Sequence, residues 1–151
     1  MSSSASSNAP DLPTAVVVDT MIASAWLGRR PSARKERWAA LLGRVAWVLP
    51  FTVVAEMRFG AHVAGWGQRR LAVLDHLVSR SAVIPPIDVV TDAYVDLRSW
   101  CARSGHGLGA KDHEADRWVG AVAIAAKLPL ATEDSIFDQV PVIDRVTPDD
   151  S

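Results

Sequence analysis

Asp116 to Phe137 reads DRWVGAVAIAAKLPLATEDSIF, with acidic residues at its start and near its end and apolar residues between them. Trp118, Val119, Val122, Ile124 and Ala125, with further alanines and a glycine, suit a tightly packed helix, and Pro129 cannot continue one. Leu130-Ala131-Thr132 then reads as a short buried strand that delivers Glu133-Asp134 at its C-terminal end. On this reading Asp116 sits at a helix N-terminus and Asp134 at the carboxyl edge of a parallel sheet, where open α/β sheets build their sites.

Working outward, Ala15-Val16-Val17-Val18 is a β-branched apolar run, the pattern of a strand buried on both faces, and it ends in Asp19-Thr20. A helix through Met21, Ile22, Ala25, Trp26 and Leu27 stops at Gly28. Pro31-Ser32 starts another, with Trp38, Leu41, Leu42 and Val45 at helical spacing and a basic group of Arg29, Arg30, Arg34, Lys35 and Arg37. That group suits either RNA phosphates or a solvated face. Val45 to Leu49 is a second strand. Thr52 is positioned to cap a helix carrying Val53, Val54, Glu56, Met57, Gly60, Ala61 and Ala64. An amphipathic helix from Gln68 to Val78 turns Leu71, Leu74 and Leu77 inward.

Ser81 to Ile84 is a third strand, and Asp88 caps a long helix with the apolar stripe Val89, Ala93, Leu97 and Trp100. Ser104 to Ala110, with three glycines and His106, reads as a loop or mobile lid, and Val140 to Val146 as a last edge strand. Alternating strands and helices imply an α/β domain with a mostly parallel sheet. Residues 1–13 read as a disordered leader and 14–147 as one domain.

Composition narrows the class. Sixteen basic and 17 acidic residues give a formal charge of −1, and 49% of residues are hydrophobic. A uniformly basic nucleic-acid grip is excluded, while a local basic patch is allowed. The single Cys101 cannot form an intrachain disulfide, no Cys/His zinc spacing occurs, and no apolar run is long enough to span a membrane. The expected compartment is the cytoplasm.

Asp19, Glu56, Asp116 and Asp134 fall at comparable places: strand ends, a helix start, and the helix after the second strand. Helix N-capping alone accounts for each aspartate taken singly. Glu56 sits among Val53, Val54, Met57 and Phe59, and a salt bridge to Arg58 or Arg117 is its ordinary explanation. Clustered at one sheet edge, the four would repel one another unless they took up protons or a hard cation such as Mg²⁺ or Mn²⁺. Such an ion supports phosphodiester hydrolysis.

These pieces resemble a known family. Val16 to Thr20, Phe51 to Glu56 with Gly60 one turn on, Asp116 to Ala121 and Leu130 to Phe137 are similar, in order and element type, to the motifs of PIN-domain proteins. The likeness is to the VapC-type toxin ribonucleases of toxin–antitoxin pairs, and it covers about Ala15 to Val146. The resemblance implies a three-layer α/β/α fold with a central, mostly parallel sheet, and a metal-dependent endoribonuclease acting on RNA of the tRNA or ribosomal class. It implies that Asp19, Glu56, Asp116 and Asp134 ligate Mg²⁺ or Mn²⁺ and that Thr20 and Thr132 orient carboxylate or water. It also implies a VapB-like antitoxin partner and a homodimer. A catalytically silent PIN-like module binding RNA or protein is the alternative. Gly120 stands where the family more often has alanine, a change expected to loosen the helix. Asp112 and Glu114, close to Asp116, stay open as further ligands.

Overall fold

The computed structural model describes residues 13–148. The elements run β1 (Ala15–Val18), α1 (Thr20–Leu27), α2 (Ala33–Leu42), β2 (Ala46–Pro50), α3 (Phe51–Val63), α4 (Gln68–Arg80), β3 (Ala82–Ile84), α5 (Asp88–Ser104), α6 (Glu114–Ala126), β4 (Leu130–Ala131) and β5 (Arg145–Val146). The five strands form one sheet in the order β3-β2-β1-β4-β5, and every pairing is parallel. Helices cover both faces in an α/β/α sandwich. Strand order reverses between β1 and β4, so the crevice beyond their carboxyl ends is the topological switch point.

The core follows the apolar runs. Val16, Val17 and Val18 are fully buried, as are Leu49, Leu130 and Ala131, because central parallel strands are covered on both faces. Trp38, Leu42 and Leu74 supply the inward faces of α2 and α4, whereas Leu71 is 38% exposed and Val45 lies outside α2. On α5 the buried positions are Val90, Ala93, Tyr94, Leu97 and Cys101. Val89 faces outward, so the stripe is turned one residue from the sequence reading and recruits Tyr94, which stacks on Trp118 with ring centroids 4.1 Å apart.

Helix starts also differ from expectation. Ile87, not Asp88, is the cap of α5, and Asp88 opens the first turn, where its charge suits the positive end of the helix dipole. Helix α3 begins directly after Pro50, which places Thr52 inside the first turn with its hydroxyl buried and unpaired. Between α5 and α6 the chain makes two 3₁₀ turns, Gly107–Gly109 and Lys111–His113. The first is a tied-down turn, not a mobile lid: Leu108 is fully buried, and Arg117 donates from Nη1 to the carbonyls of Leu108 at 2.9 Å and Ala110 at 2.6 Å. His106 accepts from Leu108 N–H through Nδ1, which leaves Nε2 as the protonated nitrogen donating to Asp138 O at 2.7 Å.

Gly120 tightens the packing of α6. A Cβ there would lie 3.0 Å from Ile143 Cδ1 and 3.1 Å from Leu97 Cδ2. The missing methyl lets α5 and the segment before β5 close on α6, so the glycine does not loosen the helix. The last strand is only two residues long. Val140 and Ile143, expected within it, are buried packing residues in the irregular chain leading to it.

Candidate functional site

The crevice at the switch point gathers side chains from β1, α1, α3, α6 and β4. Asp19 follows β1 and caps α1: its Oδ1 accepts the Thr20 N–H at 2.7 Å. Its Oδ2 accepts from the Thr132 hydroxyl at 2.8 Å, and that hydroxyl in turn accepts the Asp134 N–H at 3.1 Å. One buried threonine therefore couples the ends of the two strands that flank the switch point. Asp134 Oδ1 accepts the Ile136 N–H at 3.0 Å and caps the 3₁₀ turn Ser135–Phe137. On the other flank the Thr20 hydroxyl donates to Glu56 Oε2 at 2.5 Å. Glu56, Thr20, Asp19, Thr132 and Asp134 thus form one continuous chain of bonded neighbours.

Asp116 joins from the first turn of α6, as the third residue of that helix rather than its first. Its Oδ2 lies 2.8 Å from His113 Nδ1. The hydrogen bond to Asp116 raises the His113 pKa above its ordinary value, and the charges of Asp112, Asp116 and Asp134 add to the effect. His113 therefore sits within the field of two of the four acids, a role its lone position in the sequence did not reveal. Asp112 and Glu114 are both exposed.

Electrostatically the crevice is under tension. Burial pushes the Asp19 carboxyl up most strongly, the nearby charges of Asp116 and Asp134 push it the same way, and the bonds from Thr132 and Thr20 only partly offset this. Asp19 is 6% exposed, whereas Glu56 lies at the surface of α3. Neither Arg58 nor Arg117 pairs with Glu56: its partner is Thr20, and Arg117 is buried under the 107–110 turn.

The donor set suits a hard divalent cation. Asp19, Asp116 and Asp134 are oxygen donors from three separate elements, the charges of Asp116 and Asp134 add to the upward push on the Asp19 carboxyl, and a cation would relieve that repulsion. As the side chains stand, no three of the His, Cys, Asp and Glu groups among the described residues close on a common point. Their oxygens are instead engaged by Thr20, Thr132, His113 and the Ile136 amide.

A connection invisible in sequence joins this edge to α2. Glu133, beside Asp134, takes both the Nε of Arg34, at 2.9 and 2.7 Å, and the Trp38 indole N–H at 2.5 Å. Arg34 and Lys35 belong to the basic group, and Lys35 reaches the Gly28 carbonyl.

The family model described as PIN domain matches residues 16–143. The chain belongs to the PIN-domain family. Among solved structures, a chain of VapBC2 from Rickettsia felis, bound to a DNA fragment from its promoter, superposes with a TM-score of 0.73 at 21% identity, covering 89% of this chain and 99% of that one. FitAcB from Neisseria gonorrhoeae gives 0.69 at 24% identity, with 88% and 97% covered. VapBC-5 from Mycobacterium tuberculosis, a member of the VapBC family of toxin–antitoxin systems, gives 0.60 at 28% identity, with 89% and 100% covered. No curated protein matches the chain. The PIN fold is therefore shared with chains of toxin–antitoxin complexes over nearly the whole described domain. No helix among the described residues is long and apolar enough to cross a membrane.

Proposed function

We propose that this PIN domain is a Mg²⁺- or Mn²⁺-dependent endoribonuclease, the VapC-type toxin of a toxin–antitoxin pair, working in the cytoplasm on RNA of the tRNA or ribosomal class. The observation that carries the reading is the bonded chain Glu56–Thr20–Asp19–Thr132–Asp134, with the charge of Asp116 acting on Asp19, at the switch point of a parallel sheet. Asp19, Asp116 and Asp134, with Glu56 at the margin, would hold the ion, whose contribution is to offset phosphate charge and to lower the pKa of a water.

The protein's own groups have separable tasks. Thr132 fixes the Asp19 carboxylate and the backbone of Asp134 together, so two ligand-bearing strands move as one. Thr20 holds Glu56 at the rim and His113 orients Asp116. The buried Asp19 and the polar rim leave the phosphodiester approaching a fixed set of oxygens, the preorganisation on which such chemistry depends.

Partner binding fits the same molecule. Phe59 and Val63 on α3 are 69% and 68% exposed, with Met21 on α1 at 57%, an apolar surface next to Glu56 that suits an antitoxin, and the reading includes a homodimer. The nuclease reading is tested by incubating the purified chain with RNA in Mg²⁺ or Mn²⁺. Cleavage is expected to fall at least a hundredfold in Asp19→Asn and in Asp116→Asn, with the fold retained by circular dichroism. Undiminished cleavage in both variants would remove the assignment. RNA binding without turnover across a metal screen would favour the silent binding module.

A further inference from the structure

Two clefts flank the short helix α1. One, of about 300 Å³, opens between α1 and α2 and is lined by Arg29, Arg30, Arg34 and Lys35 against Trp26 and Trp38. The other, of about 360 Å³, is lined by Arg29, Trp66, Arg69 and Arg70, and joins α1 to α4. Arg29 borders both, so the two are consecutive parts of one basic track. Residues 29–37, RRPSARKER, carry five cations against the single anion Glu36, in a chain whose overall charge is −1.

The track has a direction. At one end Arg34 grips Glu133, the residue beside Asp134, so the first cleft begins where the acidic crevice ends. At the far end the Arg70 guanidinium lies 3.8 Å above the Trp66 ring. Forked cations repeated along a groove, with an indole within reach, suit a flexible polyanion carrying stackable rings. The acidic crevice repels the phosphodiester it must approach, and adjacent cations offset that repulsion.

We infer that the track Arg34–Arg30–Arg29–Arg70 is the path of single-stranded RNA leading into the acidic crevice, with arginines on its phosphates and an unpaired base stacked on the Arg70 guanidinium that Trp66 supports. The inference rests on the nuclease reading for its substrate class and extends it to a binding path. Glu133 has a part in it: by holding Arg34 through Nε and Nη2 it offsets that cation's charge and fixes it beside the crevice, which leaves Arg29 and Arg30 as the cations that take phosphate.

Binding of the intact chain to a fluorescent single-stranded oligoribonucleotide, followed by anisotropy in chelator over a salt series, separates this path from catalysis. Two lost phosphate contacts lower the slope of log K against log salt by about 1.4 for a single strand. Arg29→Ala combined with Arg30→Ala is therefore expected to show that change and to bind at least fivefold more weakly at low salt. Trp66→Ala is expected to weaken binding about tenfold while leaving the slope unchanged, because stacking releases no counterions. Arg98→Ala combined with Arg103→Ala, on α5, is expected to bind as the parent does.

Unchanged affinity and slope in the Arg29/Arg30 variant, an equal loss in the α5 variant, or no RNA binding by the parent at low salt overturns the track. So does equal affinity for duplex RNA. Displacement of RNA by polyglutamate as effectively as by unlabelled RNA overturns it in favour of an acidic protein segment. Cleavage measured in parallel keeps the two readings apart. Cleavage with normal binding by the Arg29/Arg30 variant leaves the nuclease standing without the track, whereas track-dependent binding with no cleavage in any metal leaves the track standing without the nuclease.

Discussion

Thr132→Val is the substitution that most directly tests the coupling of the two strand ends. Valine matches threonine in shape, so the fully buried position keeps its packing and loses only the hydroxyl. Two bonds go with it: the donor to Asp19 Oδ2 at 2.8 Å and the acceptor for the Asp134 N–H at 3.1 Å. A bond to a charged group contributes about 1.5–3 kcal/mol, and an orphaned buried amide costs about 1–3 kcal/mol. The two share one hydroxyl and are not additive, so the expected loss is about 2–4 kcal/mol.

For a chain of this size that is roughly 5–15 °C in Tm, read by thermal or urea unfolding with Thr132→Ser as the rescuing variant. The same hydroxyl lowers the Asp19 carboxyl against the stronger upward push of burial. Without it the pKa rises further, and the ascending limb of any activity–pH profile moves to higher pH. A Thr132→Val protein with parental stability and an unmoved limb would refute the coupling.

Three further outcomes follow from the packing and charges. Gly120→Val places branched carbon against Ile143 and Leu97, where even a Cβ is at 3.0–3.1 Å, and is expected to lose about 1–3 kcal/mol by urea unfolding. Arg117→Leu releases the Leu108 and Ala110 carbonyls and is expected to make the 107–110 turn the first site of limited proteolysis, against slow cleavage there in the parent. The Arg34 bond holds the Glu133 carboxyl below its ordinary value of 4.5, so its stabilisation is present above that pH and is lost as pH falls through the lower folded value. Both side chains are substantially exposed, so Glu133→Gln is expected to cost less than ~1 kcal/mol at neutral pH and nothing in strong acid, measured by urea unfolding across pH.

Much of the fold is legible along the chain because it rests on local patterns. The run Val16-Val17-Val18 is a central strand for the reason it looks like one: β-branched side chains without polar alternation cannot sit on a half-solvated sheet. Pro129 lies just past the end of α6, which the left-handed Lys127 closes at φ 55°. What local pattern misread was rotation and capping. Whether Val89 or Val90 faces inward depends on where Tyr94 finds Trp118, and Thr52 lost its cap role because α3, capped at Pro50, starts two residues early.

The acids themselves were legible, since Asp19 and Asp134 end strands and Asp116 lies in the first turn of a helix. Their relation was not. That Thr20 rather than an arginine takes Glu56 follows from packing α1 against α3, and that Thr132 spans 113 positions to bond Asp19 follows from placing β4 beside β1. The same adjacency brings Glu133 to Arg34 and joins a basic segment to an acidic edge. Sequence by itself determined which segments become strands and helices and which carboxylates stand at their ends, because those choices are made within a few residues by sterics and burial. Only the tertiary structure decided which of those groups share a crevice, because strand order and crossover set distances between residues that the chain keeps far apart.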